Sequence, residues 1–172
     1  MFESVEKLNN QAIEYASKGN FADAIACFKR ALIVEQENYL LWFNLSLTYR
    51  DSGNFVEAIN ACRHAYNLNP DNPEIIETLA FLYYTVGENH LAMSYAFLGT
   101  ENNKCSPTLW NMMGVIQFRN EDYESAAGAF ETALTINPYF EEAIFNLRDT
   151  YEELGNIKGA KECDRRLKEL KK

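Results

Sequence analysis

Two histidines, four cysteines and several adjacent carboxylates are the residues of this chain that could do chemistry by themselves. Cys62 and His64 come nearest to a metal pair, but two positions apart on a helix they point to different faces. Neither His64 nor His90 has a candidate nucleophile beside it in sequence, so both read as structural or solvent-facing. The cysteines Cys27, Cys62, Cys105 and Cys163 show no C-x-x-C spacing. Three of them fall in apolar stripes, where a thiol behaves as a small hydrophobe; Cys105 falls in a loop and is expected to be the most reactive. Adjacent acids such as Glu141-Glu142 and Glu152-Glu153 read as solvated helix surface. No glycine-rich phosphate cradle of the Walker or dinucleotide type occurs. Asn44-Leu45-Ser46 matches a glycosylation sequon but falls within a helical stripe and is discounted. No cofactor, no metal and no enzymatic activity are therefore expected, which leaves non-covalent recognition by carboxamide and aromatic side chains.

The elements that must position those side chains are set by a period. Alanine recurs at 24, 58, 92, 126 and 160, one every 34 residues without insertion or deletion. Other columns move with it: Phe21, Phe55 and Tyr123 before the alanine, and Ala31, Ala65, Gly99 and Ala133 after it. A tyrosine column runs Tyr15, Tyr49, Tyr83 and Tyr151. Within a period the apolar residues keep helical spacing, as in Leu41, Leu45, Thr48 and Tyr49, then Ala58, Cys62, Ala65 and Tyr66. A Gly- or Asn-bearing break separates the two stripes, as at Ser52-Gly53-Asn54 and Asn120-Glu121-Asp122. Asn72-Pro73 and Ser106-Pro107 are helix-start signals. Each period therefore reads as helix, tight turn, helix, and stacked copies of such a unit make an all-α solenoid.

These residues closely resemble the tetratricopeptide repeat family. Trp42, Leu45, Ser46, Tyr49, Ala58, Ala65 and Pro70 follow its W-x₂-L-G-x₂-Y…A…P pattern, with Ser46 for the glycine and Cys62 for the phenylalanine. Trp110, Met113, Gly114, Ala126, Phe130, Ala133 and Pro138 follow it again, with Gln117 where tyrosine is usual. The resemblance implies a right-handed α-solenoid filling residues 1–172 as one domain, with five units at 5–38, 39–72, 73–106, 107–140 and 141–172. The third unit departs at Ala96, Gly99 and Lys104, which predicts a thinner second helix partly compensated by Tyr95 and Phe97. The fifth carries Arg148 in the small packed position and Asp164 in the aromatic one, as suits a terminal cap.

The resemblance also implies a concave groove lined by the first helices. Carried over residue by residue, its partner-binding strip contains Asn10 and Ile13, then Phe43, Asn44, Leu47 and Arg50. Phe81 and Tyr84 follow in the third unit, Asn111, Val115, Phe118 and Arg119 in the fourth, and Phe145 and Asn146 in the fifth. The apolar members form a track suited to a partner segment. Asparagines at the sixth position of a unit offer donor and acceptor to a peptide backbone, in a ladder broken by Thr78 and Met112. Glu74 and Thr78 stand where a carboxylate clamp for chaperone tails would need basic residues, so a clamp is not expected. The expected role is a non-catalytic scaffold or adaptor that binds an extended peptide or helix of another protein. The alternatives are a dedicated chaperone for a secreted or aggregation-prone protein and a homo-oligomeric structural protein; self-association is not favoured.

Charge and hydropathy agree with that role. The net charge of −9 is unevenly placed: residues 158–172 carry +4, leaving −13 on the rest. An acidic body disfavours nucleic-acid partners, and the basic last helix reads mainly as a solvated face. No run of eighteen apolar residues and no leader-like start is present, so a cytoplasmic protein without membrane association is expected.

Overall fold

The structure, a computed structural model, describes residues 4–102 and 106–171; Lys104 and Cys105, which bear two of the expectations above, lie outside them. Among the described residues the chain forms ten helices and no strand. They are α1 (Val5–Ser17), α2 (Phe21–Val34), α3 (Tyr39–Asp51), α4 (Phe55–Leu68), α5 (Pro73–Thr85), α6 (Asn89–Asn102), α7 (Pro107–Arg119), α8 (Tyr123–Ile136), α9 (Glu141–Glu153) and α10 (Ile157–Leu170). The first helices of the repeats begin at Val5, Tyr39, Pro73, Pro107 and Glu141. The chain divides into two compact units, Met1–Ala92 and Met93–Lys172, the boundary falling inside α6.

Local chemistry sets the helix ends. Ser4, Asn38, Asn72 and Ser106 recur every 34 residues as N-caps of α1, α3, α5 and α7, each side chain accepting from a backbone N–H of the first turn. Pro73 and Pro107 follow two of these caps, where a missing N–H costs nothing. Between paired helices the chain reverses through a left-handed residue. That residue is Gly19, Gly53, Gly87 or Gly155 in four repeats, but Glu121 (φ 62°) in the fourth. Its Cβ makes the left-handed region cost about 1–2 kcal/mol. Glu121→Gly is therefore expected to stabilise the protein by about 1 kcal/mol in urea titrations followed by helicity. A destabilised variant would mean that the Glu121 side chain makes a compensating interaction.

Packing explains the alanine column. Ala24, Ala58, Ala92, Ala126 and Ala160 are all buried, because each marks a close approach where only a methyl fits. In the first unit α1, α2 and α3 enclose Leu8, Ala12, Cys27, Phe28, Ala31, Leu32, Leu41 and Leu45. In the second, α8, α9 and α10 enclose Phe130, Ala133, Leu134, Ala143, Ile144, Leu147 and Cys163. A second column pairs residue eight of each unit with residue twenty-four. Ala12 accompanies the buried Phe28, and Gly114 lies directly under the Phe130 ring. Ser46, whose Oγ donates to Ala58 O at 3.0 Å, accompanies Cys62. In the fifth repeat the column becomes the ion pair Arg148–Asp164 at 3.8 Å, with the guanidinium 4.1 Å from the Phe145 ring centroid. This part-exposed ion pair stands where the first and fourth repeats bury a phenylalanine ring. In the third repeat Ala96 and Gly99 are buried, so the second helix is thin there. Phe97 does not compensate as expected: it is 56% exposed.

Candidate functional site

In the first unit the register places Ile13, Leu47 and Phe81 at the ninth position of α1, α3 and α5. Ile13 and Phe81 are exposed, Phe81 by 42%, and Leu47 is half-buried. Asn10 is exposed and Tyr84 half-buried. Arg50 is turned onto its neighbour, with Nε and Nη2 both meeting Asp51 Oδ1, at 2.9 and 2.8 Å. In the second unit Val115, Phe118, Asn146 and Asp149 border a cleft of about 60 Å³, with Phe130 at its base. Phe118 meets the Tyr123 ring edge-on at 5.2 Å. Arg119 and Phe145 are exposed.

Two placements differ from the groove expected from sequence, and both lie at position five of a repeat. Asn44 Nδ2 donates to Asn9 Oδ1 at 3.4 Å, and Asn146 Nδ2 donates to Asn111 Oδ1 at 3.0 Å. Residue six of one first helix thus rests on residue five of the preceding one, 35 positions back. Within a unit, position five is covered where a further repeat follows. Asn111 is accordingly buried rather than open to a peptide, and Phe43, at the same position of the second repeat, is only 8% exposed. Phe145 occupies position five of the last repeat and is 47% exposed. Each of the carboxamides of Asn44 and Asn146 commits one N–H to this column.

The larger concavity lies elsewhere. Between α2 and α4, floored by Trp42, Leu45 and Tyr49 of α3, is an open trough of about 690 Å³. Trp42 stacks on His64 with ring centroids 4.5 Å apart, and its indole Nε1 donates to Gln36 O at 2.8 Å. Lys29 Nζ lies 5.9 Å from the Tyr49 ring centroid. The trough is hard to see in the sequence because Trp42 and Tyr49 belong to the repeat signature. A signal is present in Ile33, Val34 and Leu68, apolar at the outer ends of second helices where a solvated surface would be polar. Ile33 and Val34 are 75% and 67% exposed.

Cys27, Cys62 and Cys163 are free and buried, and burial pushes the Cys62 thiol up to about 12. No group of three or more metal-ligating side chains occurs among the described residues, and no described helix is long and apolar enough to cross a membrane.

Paired helices stacked at a constant 34-residue period define the class: a helix–turn–helix repeat solenoid. Residues 9–73 and 107–140 each match the sequence profile described as "Tetratricopeptide repeat". The chain belongs to the tetratricopeptide repeat family. A tetratricopeptide-repeat-containing protein of Methanocaldococcus jannaschii is 27% identical over 123 residues, which are 72% of this chain but 22% of that protein. A crystal structure of MamA superposes with a TM-score of 0.89 at 21% identity, covering 99% of this chain and 93% of that one. MamA from Desulfovibrio magneticus RS-1 gives 0.90 at 14% identity, covering 99% and 97%. YrrB, described as "a TPR protein with an unusual peptide-binding site", gives 0.78 at 18% identity, covering 95% and 84%. At these identities the likeness is one of fold. Tetratricopeptide repeats are in general non-catalytic protein-interaction scaffolds.

Proposed function

We propose that this protein is a non-catalytic adaptor that holds a segment of another protein against its first-helix face. One observation carries the reading: Ile13 and Phe81 stand exposed at the same repeat position, the ninth, of α1 and α5. Apolar side chains held by packed helices lose little conformational entropy on binding, so contact with them converts efficiently into affinity. Arg50 and the acceptor oxygen of Asn44 flank them and would orient a peptide. The peptide-binding description of YrrB supports a ligand of that kind.

The test is capture of partners from the source organism's extract with the unaltered chain and with Ile13→Ala/Phe81→Ala. Both side chains are exposed, so helicity should be unchanged. Losing two exposed anchors is expected to weaken partner retention at least tenfold, about 1.4 kcal/mol. Equal retention would move the partner site off this face. Phe43 is unsuitable for this purpose, because truncating a buried ring tests folding as well as binding.

A further inference from the structure

We propose a second binding site, distinct from the first-helix face: the α2–α4 trough takes a peptide segment in which a large apolar side chain is flanked by arginine. Its volume of about 690 Å³ lies in the range of ligand-binding cavities, and its floor is the apolar surface of Leu32, Trp42, Leu45 and Ala61. The trough runs on into a second depression of about 730 Å³ that shares Ile33, Gln36 and Glu37 with it. The combined shape suits a chain segment better than a compact molecule.

Charge selects the flanking residues. Glu37 and Glu57 border the trough, and neither forms an ion pair or hydrogen bond among the described residues. Glu35, whose Oε2 accepts from Asn38 Nδ2 at 2.7 Å, lines the neighbouring depression. The one lysine of the lining, Lys29, lies toward the Tyr49 ring. Unpaired carboxylates around an apolar floor are complementary to a cation beside an apolar side chain.

The protein's second unit shows how such a trough is filled. Three repeat periods on, the equivalent groove between α8 and α10 measures only about 350 Å³. Its tyrosine, Tyr151, donates to Glu131 Oε1 at 2.6 Å, where the first unit has Tyr49 and Lys29. Arg166 takes the place of His64, lines the groove, and donates from Nη2 to Pro138 O at 2.6 Å. Pro138 is the register equivalent of Gln36. In the second unit, then, an arginine of the chain itself lies in the trough and bonds the loop carbonyl. In the first unit Gln36 O accepts only the Trp42 indole and keeps a lone pair, with Glu37 and Glu57 nearby. An arginine from a partner would meet the same carbonyl and two carboxylates besides, and guanidinium geometry favours such forked pairing.

The experiment uses the full chain with Trp110→Phe, so that Trp42 is the only indole and reports from the trough floor. The probes are two ten-residue synthetic peptides with one central phenylalanine, one flanked by arginines and the other by glutamates. The arginine peptide is expected to change Trp42 emission saturably and to bind at least tenfold tighter than the glutamate peptide. Glu37→Gln/Glu57→Gln should weaken it about tenfold, and His64→Arg should do the same by supplying the arginine internally. Glu141→Gln/Glu142→Gln and Phe81→Ala should leave it unchanged. Helicity is checked for every variant; the altered side chains are exposed except that of Trp110, which is replaced by another aromatic. Equal binding of both peptides overturns the proposal, as does equal weakening by the Glu141/Glu142 control. An emission change on raising protein concentration without peptide overturns it in favour of a second copy as occupant.

Discussion

Gly114→Ala is expected to destabilise the protein by about 2 kcal/mol, against the usual sign of a glycine-to-alanine change inside a helix. Alanine is ordinarily the better helix former by about 1 kcal/mol, because glycine loses more backbone freedom on folding. At Gly114 a new Cβ would stand 2.5 Å from Phe130 Cε1 and 2.8 Å from Cδ1 and Cζ. Phe130 is wholly buried in the second unit's core, so the ring cannot swing into solvent and neighbouring side chains must shift with it. Overpacking of this kind costs about 1–3 kcal/mol or somewhat more, which outweighs the propensity gain. Gly128 is the internal control: it lies in α8 with open space around its added Cβ. Gly128→Ala should stabilise by about 0.5–1 kcal/mol in the same urea titration. The clash is also expected to disappear when the ring is removed. In a Phe130→Cys background, Gly114→Ala should cost little, giving a coupling energy of about 1–3 kcal/mol in the double-mutant cycle. A stabilising Gly114→Ala, or no coupling to Phe130, would mean that the contact is loose.

That pair shows how much of the fold the sequence discloses. The residue-eight and residue-twenty-four columns read Ala/Phe, Ser/Cys, Ala/Ala, Gly/Phe and Arg/Asp, and their co-variation in volume or charge is visible without coordinates. A single steric relation, repeated at a fixed period, is therefore legible, as are the helix starts at Asn72 and Ser106. The site is less legible, because exposure of a first-helix residue depends on what the next repeat lays over it. Phe43 and Phe145 hold the same position of their repeats, yet one is buried and the other exposed. Asn111 reads as an off-register member of the asparagine ladder and is instead its buried acceptor. The α2–α4 trough is harder still. Its openness depends on which side chain occupies the place of His64, and that matters only once Arg166 is seen bonding the equivalent carbonyl.

Phe28→Ala is expected to cost about 4 kcal/mol, more than truncation of any smaller side chain in the same cluster. Phe28 is 1% exposed and is the largest side chain of a cluster containing Ala12, Ala31, Leu41 and Leu45. Two effects add. The ring's apolar surface loses its burial, and the space it leaves is walled by α1, α2 and α3, whose alanines already sit at close approach and cannot collapse inward. In the second repeat the same register holds Cys62, beside Ser46 and its bond to Ala58 O. Phe28→Leu, which keeps most of the volume, should cost about 1.5 kcal/mol or less. Urea unfolding followed by helicity, with the slope unchanged, would give both values directly. A Phe28→Ala cost below about 1 kcal/mol would show that the first unit relaxes around the cavity, contrary to a close-packed core.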